Sequence, residues 1–384
     1  MKQMKTKRWQ LHGLVSPDHP FIREAGALLL QGELIAFPTE TVYGLGAIAD
    51  SGEAVQKIFN VKGRPADNPL IVHLAEIETV ATVAEDIPEE AWVLLETFAP
   101  GPLTLILKGK SVLSPLVTAG LPSVAVRIPA HPVARSLIAS VKKPVAAPSA
   151  NRSGRPSPTR AEHVLQDLDG RIAGILDAGP TGYGVESTVL DMTVFPYTIL
   201  RPGAVTLSDL QGALGEGRVR LHRSFDFAPT VQEPERDEAK DTEDTVPRAP
   251  GMKYRHYAPD VPLTLWLFNG KTLDSGSYDV RTYLMRLKAA FQTMVAEGVR
   301  ISFLAYEEDL PILKAALGDT FKTLHVLNVG RRSHPEEVAR SLYDVLRSLD
   351  PEVTDRAVML GLREEGLGLA IMNRLRKAAS EVIA

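Results

Sequence analysis

The chain of 384 residues contains no cysteine. That excludes disulfides, thiolate nucleophiles, cysteine-ligated zinc and iron–sulfur clusters. No run approaches the ~20 consecutive apolar residues of a membrane-spanning helix. The basic start, MKQMKTKRWQ, lacks the apolar core of a secretion signal, so a cytoplasmic location without membrane association is expected. The nine histidines are scattered and none forms a HExxH pair, so no metal held by protein side chains is expected. Neither charge sign dominates: Lys and Arg number 43 against 47 for Asp and Glu, a net charge of −4. A protein that holds nucleic acid by counterion release is usually basic, so any RNA contact would need a local patch. The common phosphate cradles are missing as well. GKS at 109–111 and GKT at 270–272 have the end of a P-loop, but Thr104 and Leu265 stand where its first glycine belongs. No GxGxxG follows a strand, and no GxSxG marks a serine nucleophile.

What is present is an ordinary globular composition, 44% hydrophobic and 23% charged, in a length that suits two or three domains. Residues 18–32 carry Phe21, Ile22, Ala25, Leu28 and Leu29 at helical spacing, and Gly32 closes the helix. ELIAFP (33–38) reads as a short buried strand, and similar runs follow at 68–74, 102–109, 123–129, 143–149, 187–192 and 197–203. Helices are expected at 53–60, 88–98, 131–140 and 159–168. The alternation predicts an α/β layered domain, and strands that follow one another directly predict a twisted mixed sheet. We place this domain at 12–217. From Gln232 to Thr245, seven acidic and two basic residues leave almost nothing to bury, and the stretch reads as a solvated linker. The linker region, 218–260, closes on the basic and aromatic PRAPGMKYRHYAPD (247–260). A smaller Rossmann-like α/β domain is expected at 261–384. Its apolar runs lie at 261–268, 300–306, 322–330 and 357–362, with helices at 279–297, 335–348 and 368–379.

Polar residues gather at strand ends in the first 203 positions. PTETVYGLG (38–46) sets Thr39, Glu40 and Thr41 beside Gly44 and Gly46, where a backbone can approach a ligand. By itself the segment reads first as a strand–turn–helix corner with a capping Thr. KGRPADNPLIVH (62–73) alternates Lys62 and Arg64 across an irregular loop. With Asn68 and His73 it suits an anion such as a triphosphate, or a solvated basic loop. APSANRSGRPSPT (147–159) offers Ser149, Asn151 and Ser157 to phosphates or sugars. Arg127 closes an apolar strand and calls for an anion, either a structural carboxylate or a ligand's. Ser187 and Arg201 extend the set. Cations and hydroxyls without an evident base suit transfer at phosphorus, where positioning and charge neutralisation do most of the catalysis.

These residues resemble the YrdC-like family. FPTETVYGLG, the K-x-R of Lys62 and Arg64, NPLIVH, GPLTLIL, VAVRIP, the S-x-N of Ser149 and Asn151, ESTVLD and ILRPG occur in its order. PGMKYRHYAP followed by a further domain is similar to the two-domain threonylcarbamoyl-AMP synthases. The resemblance implies a nucleotidyltransferase that joins L-threonine, bicarbonate or CO2, and ATP into L-threonylcarbamoyl-AMP and pyrophosphate, with Mg²⁺ accompanying ATP and no organic cofactor. The product would pass to a threonylcarbamoyl transferase complex that modifies tRNA next to the anticodon, tRNA itself being a further candidate partner. It also implies site residues. Lys62 and Arg64 would be catalytic. Thr41, His73, Arg127, Ala147 and Ser187 would surround threonine. Arg64, Asn68, Ser123, Ser149, Asn151, Ser157 and Arg201 would hold ATP. Tyr254 and Tyr257 would belong to a lid that shields the labile adenylate from water. Two other classes stay open on the residues alone: a double-stranded RNA- or ribosome-binding factor, and a carbamoyl-type transferase of hydrogenase maturation. The absence of cysteine fits the latter badly.

Overall fold

A computed structural model describes residues 5–13, 15–225, 247–249, 256–267 and 278–384. The acidic stretch 232–245 and Tyr254 lie outside the described residues.

Alternation along the strand Ile35–Pro38 sets the layering of the first domain. Ile35 and Phe37 enter one core with Ile22, Leu29, Val133 and Leu137, while Ala36 enters the opposite core with Val55, Ile58 and Leu94. A strand with both faces buried needs helices on each side. Helices Pro20–Leu30 and Pro132–Val141 cover one face, and Gly52–Lys62 and Glu89–Phe98 the other.

The sheet has eleven strands, in the order Lys7–Gln10, Gly174–Asp177, Ile35–Pro38, Tyr43–Ile48, Val145–Ala146, Ile71–His73, Ser123–Arg127, Leu103–Lys108, Thr188–Asp191, Tyr197–Arg201 and Val219–Leu221. Parallel and antiparallel pairs both occur in it, so the sheet is mixed, as expected. Its edge strands, Lys7–Gln10 and Val219–Leu221, fall outside the 12–217 span drawn from sequence. Tyr43–Ile48 corrects the reading of the first polar motif. Its glycines interrupt the apolar pattern, yet it is a fully buried strand. A side chain at Gly46 would stand 2.8 Å from the Phe37 ring, so this glycine makes room for a neighbour in the sheet, not for a ligand.

The second domain is a parallel five-stranded sheet in the order His325–Asn328, Ile301–Ala305, Arg356–Leu360, Leu263–Trp266 and Glu381–Ile383. Helices Tyr278–Ala296, Pro335–Ser348 and Leu367–Ala378 belong to it. Helix Pro335–Ser348 starts with proline and two glutamates, which suit a helix N-terminus. It buries Val338, Ala339, Leu342, Tyr343 and Leu346. Its docking onto the first domain needs Gly184. That residue has φ +76, and a side chain there would meet the carbonyl oxygen of Ala339 at 2.3 Å. Val42 and Val185 of the first domain join the apolar core of the second, so the two share a continuous interface.

Candidate active site

One cleft gathers the carboxyl ends of the strands at 35–38, 123–127, 145–146 and 197–201 with the starts of their antiparallel neighbours. It encloses about 680 Å³, open solvent included. Thr41, His73, Arg127, Ala147, Arg64, Ser149, Asn151, Ser157, Arg201 and Tyr257 line it together.

The strand ends fix these side chains. Thr39 turns the chain after Pro38: its hydroxyl donates to the Val42 carbonyl (2.6 Å) and meets Thr41 Oγ1 at 2.8 Å. Arg127 is buried; its Nη2 donates to Glu40 Oε1 (2.6 Å) and its Nε to the Gly101 carbonyl (3.2 Å). Both anion partners that the sequence allowed for Arg127 therefore stay available, a structural Glu40 and the cleft. His73 is buried, with Nδ1 at 3.2 Å from the Ile71 carbonyl. Burial, then the charge of Arg127, lowers its pKa to about 3. Arg64 Nη2 donates to the Pro69 carbonyl (3.0 Å). Arg201 donates from Nε to the Ser187 carbonyl and from Nη2 to Ser187 Oγ, both at 3.0 Å. Ser149 Oγ donates to Asn151 Oδ1 (2.5 Å), and the Asn151 amide nitrogen donates to the Arg152 and Arg155 carbonyls (2.8 Å each).

Four expected residues stand elsewhere. Lys62 is not on an irregular loop; it ends helix Gly52–Lys62, capped by left-handed Gly63. Its buried ammonium donates to the carbonyls of Ser149 (2.6 Å) and Asn151 (2.5 Å) behind the cleft wall. Burial foremost, then Arg64, lowers its pKa well below the usual lysine value. Ser187 is fully buried behind Arg201, with Oγ 2.7 Å from Thr104 Oγ1. Asn68 is buried beside Arg64, its carbonyl accepting from that guanidinium at 3.3 Å. Ser123 begins the strand that Arg127 ends, opposite Lys108, so it sits roughly 13 Å from the cleft end of the strand.

The cleft also holds four residues that were not assigned to threonine or ATP: Thr39, Arg155, Glu186 and His256. Arg155 Nη1 donates to buried Asp167 (2.8 Å), and Arg347 of the second domain donates to the other oxygen of the same carboxylate (2.7 Å). Glu186 accepts from Ser157 Oγ, from Tyr343 Oη (3.0 and 3.2 Å) and from Arg374 Nε (3.0 Å). Burial alone would raise its pKa, but Arg374 above all, then Arg201 and the Ser157 hydroxyl, outweigh burial and hold it at about 2. Tyr257 takes φ +65, a left-handed backbone uncommon for so bulky a residue. It stacks on Tyr343 with ring centroids 5.4 Å apart, while the next amide, of Ala258, donates to the Gly154 carbonyl (2.9 Å). His256 has its pKa lowered to about 4, by burial and then Arg64. A signal for Arg374 existed in the sequence: it falls four residues after Ala370 and four before Ala378, a cation within an apolar helical stripe.

A family model spanning Sua5, YciO and YrdC, described as telomere recombination, matches residues 27–203. A model of the threonylcarbamoyl-AMP synthase C-terminal domain matches residues 205–380. The chain is 45% identical over 379 residues to the threonylcarbamoyl-AMP synthase of Bacillus subtilis, covering 98% of each. It is 44% identical to the synthase of Pyrococcus abyssi over 93% of this chain and 94% of that one. The crystal structure of P. abyssi Sua5 complexed with L-threonine superposes with a TM-score of 0.81 at 39% identity, over 98% of this chain and 99% of the other. Both domains, in the same order and along nearly the whole length, therefore have their counterparts in one family, and the chain belongs to the threonylcarbamoyl-AMP synthases of the two-domain Sua5 form.

Proposed function

We propose that this protein is a nucleotidyltransferase that makes L-threonylcarbamoyl-AMP and pyrophosphate from L-threonine, bicarbonate or CO2, and ATP. The observation that carries the reading is the single cleft in which Arg64, Arg127 and Arg201 meet hydroxyls and amides, on a chain whose full-length relatives bear that enzyme's name. The threonine amine takes up CO2 as a carbamate and releases a proton; if bicarbonate enters, water leaves. A carbamate oxygen attacks the α-phosphorus of ATP. The bond from that phosphorus to the bridging oxygen breaks, and pyrophosphate departs. One anion attacking another requires cations in a preorganised site.

We assign Arg64 and Arg201 to the phosphates, with Ser149, Asn151 and Ser157 completing the nucleotide site. Thr41, His73, Arg127 and the backbone at Ala147 are assigned to threonine. At a pKa of about 3, His73 is too weak a base to take the threonine ammonium proton, so its role is hydrogen bonding. Lys62, Asn68 and Ser187 act one step back, by holding the 149–151 carbonyls, Arg64 and Arg201. Tyr257 covers the cleft from the 256–260 segment. Among the described residues no group of acidic or histidine side chains is placed to hold a metal. Glu186, which lines the cleft, is engaged by Arg374. Mg²⁺ is expected to arrive with the ATP phosphates.

The acyl adenylate is labile, so an acyl-transfer reaction must consume it. We propose a threonylcarbamoyl transferase complex acting on tRNA beside the anticodon, in the cytoplasm. Among the described residues no helix is long and apolar enough to cross a membrane. The test is pyrophosphate release with ATP, bicarbonate and threonine, serine or valine. A site that bonds the substrate hydroxyl rejects the analogue lacking it by up to ~10⁴-fold. Equal rates for threonine and valine would remove Thr41 from a hydroxyl-reading role.

A further inference from the structure

Among the described residues, none from the second sheet domain lines the cleft. That domain nonetheless reaches the cleft wall through buried cations, Arg347 at Asp167 and Arg374 at Glu186. Arg374, in helix Leu367–Ala378, is fully buried. Its Nε donates to Glu186 Oε2 at 3.0 Å, its Nη1 to the Pro202 carbonyl, and its Nη2 to the Glu186 carbonyl at 3.4 Å. It thus bridges two neighbouring strand ends, Glu186–Ser187 before the strand Thr188–Asp191 and Arg201–Pro202 at the end of its antiparallel partner Tyr197–Arg201. The Glu186 carboxylate also accepts from Ser157, and the charges of Arg374 and Arg201 both act on it.

We infer that Arg374 is a positioning residue for the nucleotide half of the reaction: by neutralising Glu186 it leaves Arg201 to the phosphates of ATP. The inference rests on the assignment of Arg201 to ATP. Its physical basis is competition. A buried carboxylate without Arg374 would draw on Arg201, the remaining strong cation beside it, and Arg201 would no longer be available to phosphate. The groups facing Glu186 come from every neighbouring element: Arg374 and Lys377 from one helix, Tyr343 from another, Arg201 from its strand, and His256 and Tyr257 from the 256–260 segment.

The sign of the pH effect follows. With Arg374 present, Glu186 stays ionised and paired down to about pH 2. Without it, burial raises the carboxyl pKa. Acid then neutralises Glu186 and releases Arg201, so ATP binding improves as pH falls. A merely structural role for Arg374 would not produce that direction.

The test uses the full chain and compares wild type, Arg374→Met, Arg374→Lys and the double variant Arg374→Met/Glu186→Gln. KM for ATP and for threonine, and binding of a non-hydrolysable ATP analogue, are measured from about pH 5.5 to about pH 8.5, across the range a released carboxyl would titrate. Arg374→Met should raise the ATP KM by about 30-fold or more. The threonine KM should stay within about 3-fold, and the ATP KM should fall as pH falls. Arg374→Lys, which keeps the charge, should recover part of the loss. The double variant, which has no charge to balance, should return to within about 5-fold of wild type. A double variant as impaired as Arg374→Met, or an Arg374→Met profile parallel to wild type in pH, overturns the positioning role. A wild type that releases no threonine-dependent pyrophosphate overturns the functional reading itself, and the two failures are told apart in the same experiment.

Discussion

The two domains share an alternation of strand and helix, yet they use arginine in opposite ways. In the first, Arg64, Arg127 and Arg201 are held by carbonyls, a hydroxyl and Glu40 while still facing the cleft. In the second, Arg347 and Arg374 leave their own helices and end on Asp167 and Glu186 of the first. Those two carboxylates are the anchors of Arg155 and Ser157, both on the cleft. The first domain thus presents the chemistry, and the second supplies the counter-charges behind it. Burying a carboxylate costs heavily unless it is paired. Without its neighbour the first domain would be left with Arg155 against Asp167 and Arg201 beside Glu186.

Arg347 and Asp167 form the most buried of the ion pairs between the domains. Arg347→Ala leaves Asp167 charged and buried, and chemical denaturation should show a loss of about 3–5 kcal/mol. A loss under about 1 kcal/mol, the worth of an exposed pair, would mean the interface does not depend on this charge. Next comes the threonine side of the cleft. Arg127→Ala should raise the threonine KM by about 100-fold, since it removes a charge-assisted contact and strands Glu40. Little change in the ATP KM is expected, and an equal rise in both would show that Arg127 serves the sheet, not a substrate. Lys62→Ala should cost about 1–3 kcal/mol of stability and raise the ATP KM by freeing the 149–151 loop. A fall in kcat with both KM values unchanged would instead put Lys62 in contact with the reacting phosphate. The smallest effect near neutrality is that of pH on His73. Its folded pKa, about 3, lies below the unfolded value of about 6.5. The unfolded chain therefore binds the proton first, and stability is full above about pH 6.5 and falls as pH drops towards about 3. His73→Gln should flatten that acid slope; an unchanged slope would assign it to other groups.

Much of the fold was legible because most strands are apolar runs and most helices keep one apolar face. Helix Pro20–Leu30 and strand Ile35–Pro38 follow directly from that pattern. Strands Tyr43–Ile48 and Lys7–Gln10 did not: two glycines break the first, and the second buries a single residue, Trp9, among exposed neighbours. Within the site, ten of the expected side chains share the cleft because they sit at strand ends, where a sheet brings distant segments together. Lys62 and Ser187 lie off the cleft lining for a common reason. A motif gives spacing but not which way a polar group turns, and both turn inward to satisfy buried partners. Glu186, Asp167, Arg347 and Arg374 were missed as a set because each acquires meaning only from a partner roughly 180 residues away. Such pairs leave no local spacing to read. What they leave is a charge inside an apolar stripe, as at Arg374.

On the proposed function the cleft joins threonine, one carbon of bicarbonate and AMP. Mass spectrometry of products made from ATP, L-threonine and carbon-13 bicarbonate tests it directly. The account predicts one labelled carbon in a threonine–AMP conjugate, formed with pyrophosphate in equal amount and only when threonine is present. ATP converted to ADP and phosphate, or AMP released without a labelled conjugate in the presence of all three substrates, would contradict it.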